Sequence, residues 1–257
     1  MMFARLPRPP RALVRGAVRG VAYGTALAAA LAVAACSSPS SRFYTLGGAD
    51  SAGAAANGSA PAVARTGTAP AWLIEVAPVN VPPQVARNQL VVQSGPTQVQ
   101  LLEQERWASL PGDEIRRALS TNLTQQLGTI DAFGTAHPDD VAVYRIAMNV
   151  QRFESWPGSH ALIDAVWSVR AVRSNAVMTC RSVVSETVGG GYDALVDGHR
   201  RALEEVSTQV AMGVRAMAAA AAATPPTTGR TSSSARPAAA PVVPPCPSTG
   251  TAAGAGA

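Results

Sequence analysis

The sequence predicts an α+β fold, in which a mainly antiparallel sheet and two amphipathic helices packed on one face form a single domain. β-prone runs bounded by turn residues occur in two groups along the chain. Each group is followed by a segment in which apolar residues recur every three or four positions, the period of a helix. Because each helix has one apolar stripe, packing both on one sheet face buries them.

The first group of strands begins near residue 72. A β-prone run over residues 72–81 ends at Pro82-Pro83, because proline has no amide hydrogen to donate to a sheet. Two shorter runs, residues 89–93 and 98–102, flank a Ser-Gly-Pro-Thr turn. This pattern predicts a hairpin.

The first helix is expected after Arg106-Trp107. Proline and acidic residues precede its apolar stripe and Gly128 follows it, as is typical of helix ends. The residues that recur every fourth position, and so share one helix face, are Ile115, Leu119, Leu123 and Leu127.

The second group predicts an antiparallel meander followed by the second helix. Strand candidates cover residues 141–153, 161–170 and 177–187, with short turn segments between them. A glycine run, residues 189–191, then leads into a helix expected from about Tyr192 to Met217. Its apolar seam contains Val196, Leu203, Val206, Val210, Val214 and Met217.

The N-terminus has the parts of a bacterial secretory signal. Five arginines and no acidic residue precede an apolar run over residues 21–35. Val33-Ala34-Ala35-Cys36 has the form of a lipobox, so we expect cleavage before Cys36 and attachment of acyl chains such as palmitate to it. The alternative is an ordinary secretory signal that ends in cysteine. Ser37, rather than aspartate, follows, which is typical of sorting to the outer membrane.

Four segments are therefore expected. Residues 1–35 form the lipoprotein signal peptide, 36–70 a lipidated flexible tether, 71–217 the folded domain and 218–257 a disordered Ala/Pro-rich tail. Within the tether, the run Arg-Phe-Tyr-Thr-Leu at residues 42–46 either adds a short strand to the domain's sheet or lies near the membrane surface.

Removal of the signal leaves a chain of balanced charge. The chain has 21 basic and 16 acidic side chains, and five of the basic ones precede Cys36, which leaves sixteen of each. Net charge therefore gives no support for a nucleic-acid partner.

An oxidising periplasm permits Cys180 and Cys246 to pair. The alternative is a free Cys180 packed as a small apolar side chain.

No local catalytic, cofactor or metal motif stands out, so we expect a chain that is not an enzyme and holds no metal. The histidines lack ligand spacing, and His199 on the seam of the second helix is expected to be packed or hydrogen-bonded. Glu103 and Glu105 are expected at a solvated strand edge rather than as an acid–base pair. The glycine run at 189–191 forms either a plain turn or an anion cradle.

Two tryptophans have different expected roles. Trp107, where a strand meets a helix, is interpreted as a core anchor. Trp156 lies beside a Pro-Gly turn and is the candidate for an exposed contact with a partner protein or a membrane surface.

Several local features, in order and spacing over residues 36–217, resemble the ABC-type transport auxiliary lipoproteins of the PqiC/YmbA type. Arg106, Trp107 and Pro82 lie in the motifs that carry the resemblance. These motifs are the lipobox followed by Phe43-Tyr44-Thr45-Leu46, the strand ending Val79-Asn80-Val81-Pro82, Gln89-Leu90-Val91-Val92, Arg106-Trp107-Ala108-Ser109-Leu110, and Arg152-Phe153-Glu154.

The resemblance implies an outer-membrane lipoprotein that faces the periplasm and holds membrane lipid through acylated Cys36. It implies an MCE (mammalian cell entry) domain protein as partner, self-association as a homo-oligomer, and a role in ABC-associated lipid transport that supports membrane integrity. Two alternatives remain: a lipid-anchored periplasmic hydrolase whose site is assembled from distant residues, and an envelope-assembly scaffold.

Overall fold

The computed structural model describes residues 40–47, 70–223 and 242–247. Residues Ser41–Ala257 form one compact unit, and its described part contains seven strands and two helices. The α+β single-domain prediction is confirmed. The strands are β1 (Arg42–Tyr44), β2 (Trp72–Val76), β3 (Gln89–Gly95), β4 (Gln98–Trp107), β5 (Ala142–Trp156), β6 (His160–Ala171) and β7 (Val177–Thr187); the helices are α1 (Pro111–Leu127) and α2 (Tyr192–Ala223).

The strands divide into two sheets rather than one. The first has the order β1-β4-β3 and the second β2-β5-β6-β7. The β3–β4 hairpin and the β5–β6–β7 meander are antiparallel, as predicted. β1 joins β4, and β2 joins β5, in parallel. The long connections between these partners along the chain permit this direction.

Helix α1 has the predicted ends and the predicted buried stripe. Pro111 occupies its first turn, and Gly128 ends it at φ 61°, donating its backbone N–H to the carbonyl of Thr124. The helix begins very close to the chain after β2, because a Cβ on Gly112 would lie 2.7 Å from the carbonyl oxygen of Val79. Three side chains of the stripe are fully buried, namely Ile115, Leu119 and Leu123.

Helix α2 continues to Ala223, six residues beyond the expected end. Every residue of its predicted apolar seam is buried, and the helix packs on β6, β7 and α1. Gly213 permits the close approach, because a Cβ there would lie 3.0 Å from the ring of Trp167. Neither helix of the described chain is long and apolar enough to cross a bilayer.

A bulge in β5 between Val150 and Arg152 shifts the alternation of its side chains. Before the bulge, alternate residues face the helices and are buried; after it, Phe153 and Ser155 are the buried ones. Arg152, Glu154 and Trp156 therefore lie on the face of the second sheet opposite the helices.

A disulfide joins Cys180 of β7 to Cys246, with the two Cα atoms 5.7 Å apart. Of the two alternatives for these cysteines, the structure contains the paired one. β7 is an edge strand of the second sheet. The disulfide therefore attaches residues 242–247 to that edge.

Candidate functional site

The predicted site residues are distributed over several elements. Arg106 and Trp107 end β4, Pro82 lies between β2 and β3, and Trp156 ends β5. Cys36 and Ser37 lie outside the described residues, which begin at Ser40. Acylation and sorting at those two positions therefore stay predictions.

Residues 41–47, here called the N-terminal segment, are attached to the domain. β1 within this segment pairs with the end of β4 in a parallel ladder, so residues 42–46 add a strand to the sheet rather than lying apart from it. The paired residues are Arg42 with Glu105, Phe43 with Arg106, and Tyr44 with Trp107.

The carboxylate of Glu105 holds both ends of β1. It accepts hydrogen bonds from Arg42 Nε at 3.1 Å, Arg42 Nη2 at 2.7 Å and the Tyr44 hydroxyl at 2.6 Å. Burial alone would raise the pKa of Glu105, but the hydrogen bonds from Arg42 and Tyr44 outweigh it, so that pKa lies below its ordinary value. The expectation of a solvated edge is therefore wrong for Glu105, which β1 covers, whereas the side chain of Glu103 is 65% exposed.

A second buried carboxylate, Glu114 in the first turn of α1, fixes the rest of the segment. It is fully buried and accepts hydrogen bonds from Thr45 Oγ1 at 2.7 Å and the backbone N–H of Leu46 at 2.9 Å. The hydroxyl of Ser109 also donates to it. Burial opposes ionisation, yet these donors hold the pKa of Glu114 below its usual range.

Helix α2 supplies a third attachment. Arg200 donates to the carbonyl oxygen of Thr45 from Nε at 3.1 Å and from Nη2 at 2.7 Å. The N-terminal segment is thus bonded to β4, α1 and α2, which are far apart in sequence. We call this set of contacts the clamp: Glu105, Glu114 and Arg200 with the groups that they bind.

Trp107 is a core anchor, as predicted. It is 2% exposed, and its ring centroid lies 5.9 Å from that of Phe153. Neighbouring Arg106 donates from Nε to a backbone carbonyl of β4 at 2.8 Å. Pro82 accepts a backbone hydrogen bond of 3.0 Å within a turn. These three residues shape the β4 end and the β2–β3 connection.

Ser155 and His199 form a buried pair that sequence spacing does not reveal. The Ser155 hydroxyl and His199 Nε2 lie 2.8 Å apart, and the imidazole stacks on Phe153 at 4.0 Å. Burial lowers the pKa of His199 to about 3, so the ring is neutral. No described group bonds its Nδ1, where a serine hydrolase holds an orienting carboxylate. The pair is therefore a packed, hydrogen-bonded histidine, as expected for His199.

Trp156 lies half-buried on the sheet face opposite the helices. Its Nε1 donates to Glu154 Oε2 at 3.0 Å, and its ring stacks on His160 with centroids 5.6 Å apart. Arg152 donates two hydrogen bonds to Glu154, at 2.7 and 3.1 Å, and lowers its pKa. The indole is thus held in one orientation while part of its surface stays accessible.

The same face carries a second ion pair. Arg181 of β7 donates to both oxygens of Asp164 on β6, at 2.9 and 2.7 Å, and these bonds hold the pKa of Asp164 below its ordinary value. We call the five side chains involved the open sheet face: Arg152, Glu154, Trp156, Asp164 and Arg181. Strand alternation in the sequence does not predict that these five side chains share one face, because the bulge in β5 shifts the alternation.

Among the described residues, no group of three acidic, histidine or cysteine side chains is arranged to hold a metal.

Comparison with known proteins gives a family and a fold. The family model "ABC-type transport auxiliary lipoprotein component" matches residues 57–211. A crystal structure of an uncharacterized protein shares the fold, with a TM-score of 0.52 at 18% identity over 68% of this chain and 99% of that one. A search of curated proteins finds no match.

Two further structures show weaker likeness. A Xanthomonas campestris protein of the DUF330 family has a TM-score of 0.45 at 20% identity, covering 55% of this chain and 81% of its own. A PelC dodecamer from Paraburkholderia phytofirmans has a TM-score of 0.32 at 10% identity, covering 55% and 87%. Because the family model spans more than half of the sequence, this chain belongs to the ABC-type transport auxiliary lipoprotein component family.

Proposed function

We propose that this chain is a non-enzymatic outer-membrane lipoprotein, the auxiliary component of an MCE-type, ABC-associated system that moves lipid between the inner and outer membranes. In this role it supports envelope integrity. The observation that carries the proposal is family membership over residues 57–211 together with a lipobox that ends six residues before the clamped strand β1.

Acylated Cys36 is the membrane anchor in this proposal, and Ser37 is the sorting residue. The Cys180–Cys246 disulfide supports an oxidising compartment such as the periplasm, since such bonds are rare in the cytosol. Density-gradient separation of inner and outer membranes tests the location. We expect the natural protein in the outer-membrane fraction and the Ser37→Asp variant in the inner-membrane fraction; an inner-membrane location of the natural protein contradicts the proposal.

Trp156 on the open sheet face is the proposed contact with the MCE-domain partner. Oriented, partly exposed indoles are favoured at protein interfaces because they combine apolar area with a polar edge. The fixed charges around it, Arg152 with Glu154, give the contact a defined polar rim.

Crosslinking in native membranes, followed by purification of this chain, tests the partner. We expect an MCE-domain protein to be recovered with the natural chain and at least about tenfold less with Trp156→Ala, an interface loss of roughly 1.4 kcal/mol or more. Val172→Ala, at an exposed apolar position beyond the other end of β6, is the matched control and is expected to recover the partner normally. If the natural chain recovers no MCE-domain protein, the proposed function is wrong.

A further inference from the structure

We propose that the clamp turns the N-terminal segment into a membrane-docking edge, at which Phe43 enters the interface of the phospholipid bilayer that holds Cys36. The inference rests on the acylation of Cys36 proposed above. It goes beyond that anchor, because it assigns one surface of the domain to the lipid.

The first step is the short length of chain between Cys36 and β1. Arg42 is the sixth residue after Cys36, and a fully extended chain spans at most about 3.5 Å per residue, so chain length limits the distance from acylated Cys36 to β1 to about 20 Å. Without the clamp, the first strand would be β2, which begins at Trp72, and the same estimate gives a reach of about 125 Å. The clamp therefore keeps β1 close to the membrane surface.

The second step is that the hydrogen bonds of the clamp are strong enough to keep the N-terminal segment attached to the domain. The N-terminal segment is bonded through two buried carboxylates, Glu105 and Glu114, and through Arg200 of α2. Hydrogen bonds to buried charged groups are among the stronger ones in proteins. Release of β1 would leave both carboxylates without several of their donors.

The third step is the direction in which the chain before β1 runs. β1 is parallel to β4 and pairs with its last three residues, and the preceding Ser41 hydroxyl donates to Gln104 of β4 at 2.8 Å. From that point β4 runs back toward the β3–β4 hairpin through Leu101 and Val99, which are 38% and 46% exposed. The end of the domain nearest the anchor thus carries exposed apolar side chains.

Among the described residues, Phe43 is the most exposed Phe, Tyr or Trp side chain, at 67%. It alternates with Arg42 and Tyr44, which bind Glu105, and so its ring lies on the opposite side of β1 from the clamp. An exposed ring on an element held within about 20 Å of an acyl anchor is placed to enter the bilayer interface.

The charges next to Phe43 balance each other. Arg42 faces Asp193 at 4.0 Å, and Arg106 faces Glu103 at 3.7 Å. A surface without excess positive charge gains little from anionic lipid, so docking depends on the anchor and on apolar contact. The occupant is therefore a bilayer surface of either zwitterionic or anionic phospholipid.

Site-specific fluorescence of the full-length lipidated protein in phosphatidylethanolamine–phosphatidylglycerol vesicles tests the proposal. Phe43→Cys introduces the only free thiol, because Cys36 is acylated and Cys180 is paired with Cys246. We expect a fluorophore at residue 43 to be quenched by lipid carrying a nitroxide near the headgroup at least about threefold more than one at Val183→Cys, a 55% exposed position on β7. Leu101→Cys is a second reporter at the same edge and is expected to behave like Phe43→Cys.

A longer linker provides the decisive comparison. Insertion of about thirty Gly/Ser residues after Ser38 leaves the anchor and clamp unchanged but frees the domain to move away, so quenching at residue 43 is expected to fall at least about twofold. Equal quenching at residues 43 and 183, or no effect of the insertion, overturns the docking edge. Mass spectrometry of the N-terminal peptide separates the premises: an acylated Cys36 with unquenched residue 43 refutes docking alone, and an unacylated Cys36 refutes both proposals.

Discussion

Glu103 and Glu105 are two residues apart on β4 and differ in their surroundings. Glu105 is covered by β1 and binds Arg42 and Tyr44, whereas Glu103 is exposed beside Arg106. Strand alternation alone would place both on the same face. A register shift intervenes, since Gln89 pairs with Arg106 while Leu90 pairs with Leu102. Sequence patterns do not show such a bulge and therefore do not predict that Glu105 is buried.

Replacing each glutamate with alanine measures how much its surroundings contribute to the stability of the fold. Glu105→Ala is expected to lower the free energy of unfolding by about 2 kcal/mol, because it leaves the buried Tyr44 hydroxyl and the Arg42 guanidinium without their acceptor. Glu103→Ala removes only an exposed ion pair and is expected to change it by less than about 0.5 kcal/mol. Urea denaturation at neutral pH measures the free energy of unfolding of both variants. If Glu105→Ala lowers it no more than Glu103→Ala does, the hydrogen bonds of Glu105 to β1 do not stabilise the fold.

His199 predicts how the free energy of unfolding depends on pH. Its pKa is about 3 in the folded protein, against an ordinary value of 6.5, so between these two pH values the unfolded chain binds more protons than the folded one. The contribution of neutral His199 is fully present above pH 6.5 and is lost as pH falls below it, by roughly 1.4 kcal/mol per pH unit. His199→Gln, which cannot titrate, is expected to lose stability less steeply between about pH 6 and about pH 4.5.

The acidic residues with lowered pKa values also favour the folded state at higher pH, but they are the same in the natural protein and in His199→Gln. The difference between the two slopes therefore isolates the histidine. Parallel slopes in denaturant unfolding across this range would mean that folding does not lower the pKa of His199.

At the scale of elements, α1 begins where glycine is required by a close approach. Gly112→Ala would place a methyl group 2.7 Å from the backbone carbonyl of Val79, which cannot rotate away. We expect this variant to lose about 1 to 3 kcal/mol of unfolding free energy. Gly190→Ala is the control, because nothing lies within 4 Å of a Cβ there. A thermal shift of similar size in both variants would contradict the packing described for α1.

The disulfide predicts a thiol count. After signal cleavage and acylation, the mature natural protein is expected to show no free thiol under denaturing, non-reducing conditions and two after reduction, from Cys180 and Cys246. Titration with a thiol reagent measures both numbers. Two reactive thiols before reduction would show that residues 242–247 are not linked to β7.

Local patterns predicted the elements well and their assembly less well. The helices, the hairpin and the meander follow from apolar periods and turn residues, which act over a few residues. The division into two sheets and the parallel docking of β1 on β4 depend on contacts between segments more than sixty residues apart. The pairing of Cys180 with Cys246 is likewise non-local, and spacing alone leaves it open.

At the scale of the whole molecule, the described chain combines a clamped N-terminal segment, a packed body and the half-buried Trp156, which we propose as the partner contact. The clamp fixes the N-terminal segment to the domain, the packing of α1 and α2 on the strands makes the body, and Trp156 lies on the open sheet face. Among the described residues, no carboxylate accepts a hydrogen bond from Nδ1 of His199, so the Ser155–His199 pair is not the triad that the hydrolase alternative would need. This arrangement is what the proposed auxiliary role in transport requires.

Movement of lipid between membranes tests the central claim most directly. In cells of the source bacterium that lack this chain, we expect pulse-labelled phospholipid to equilibrate between the inner and outer membranes more slowly. The natural chain is expected to restore the rate, and Cys36→Ala, which lacks the anchor, is not. An unchanged rate in the absence of the chain, or full restoration by Cys36→Ala, would contradict a lipid-anchored auxiliary role in lipid transport.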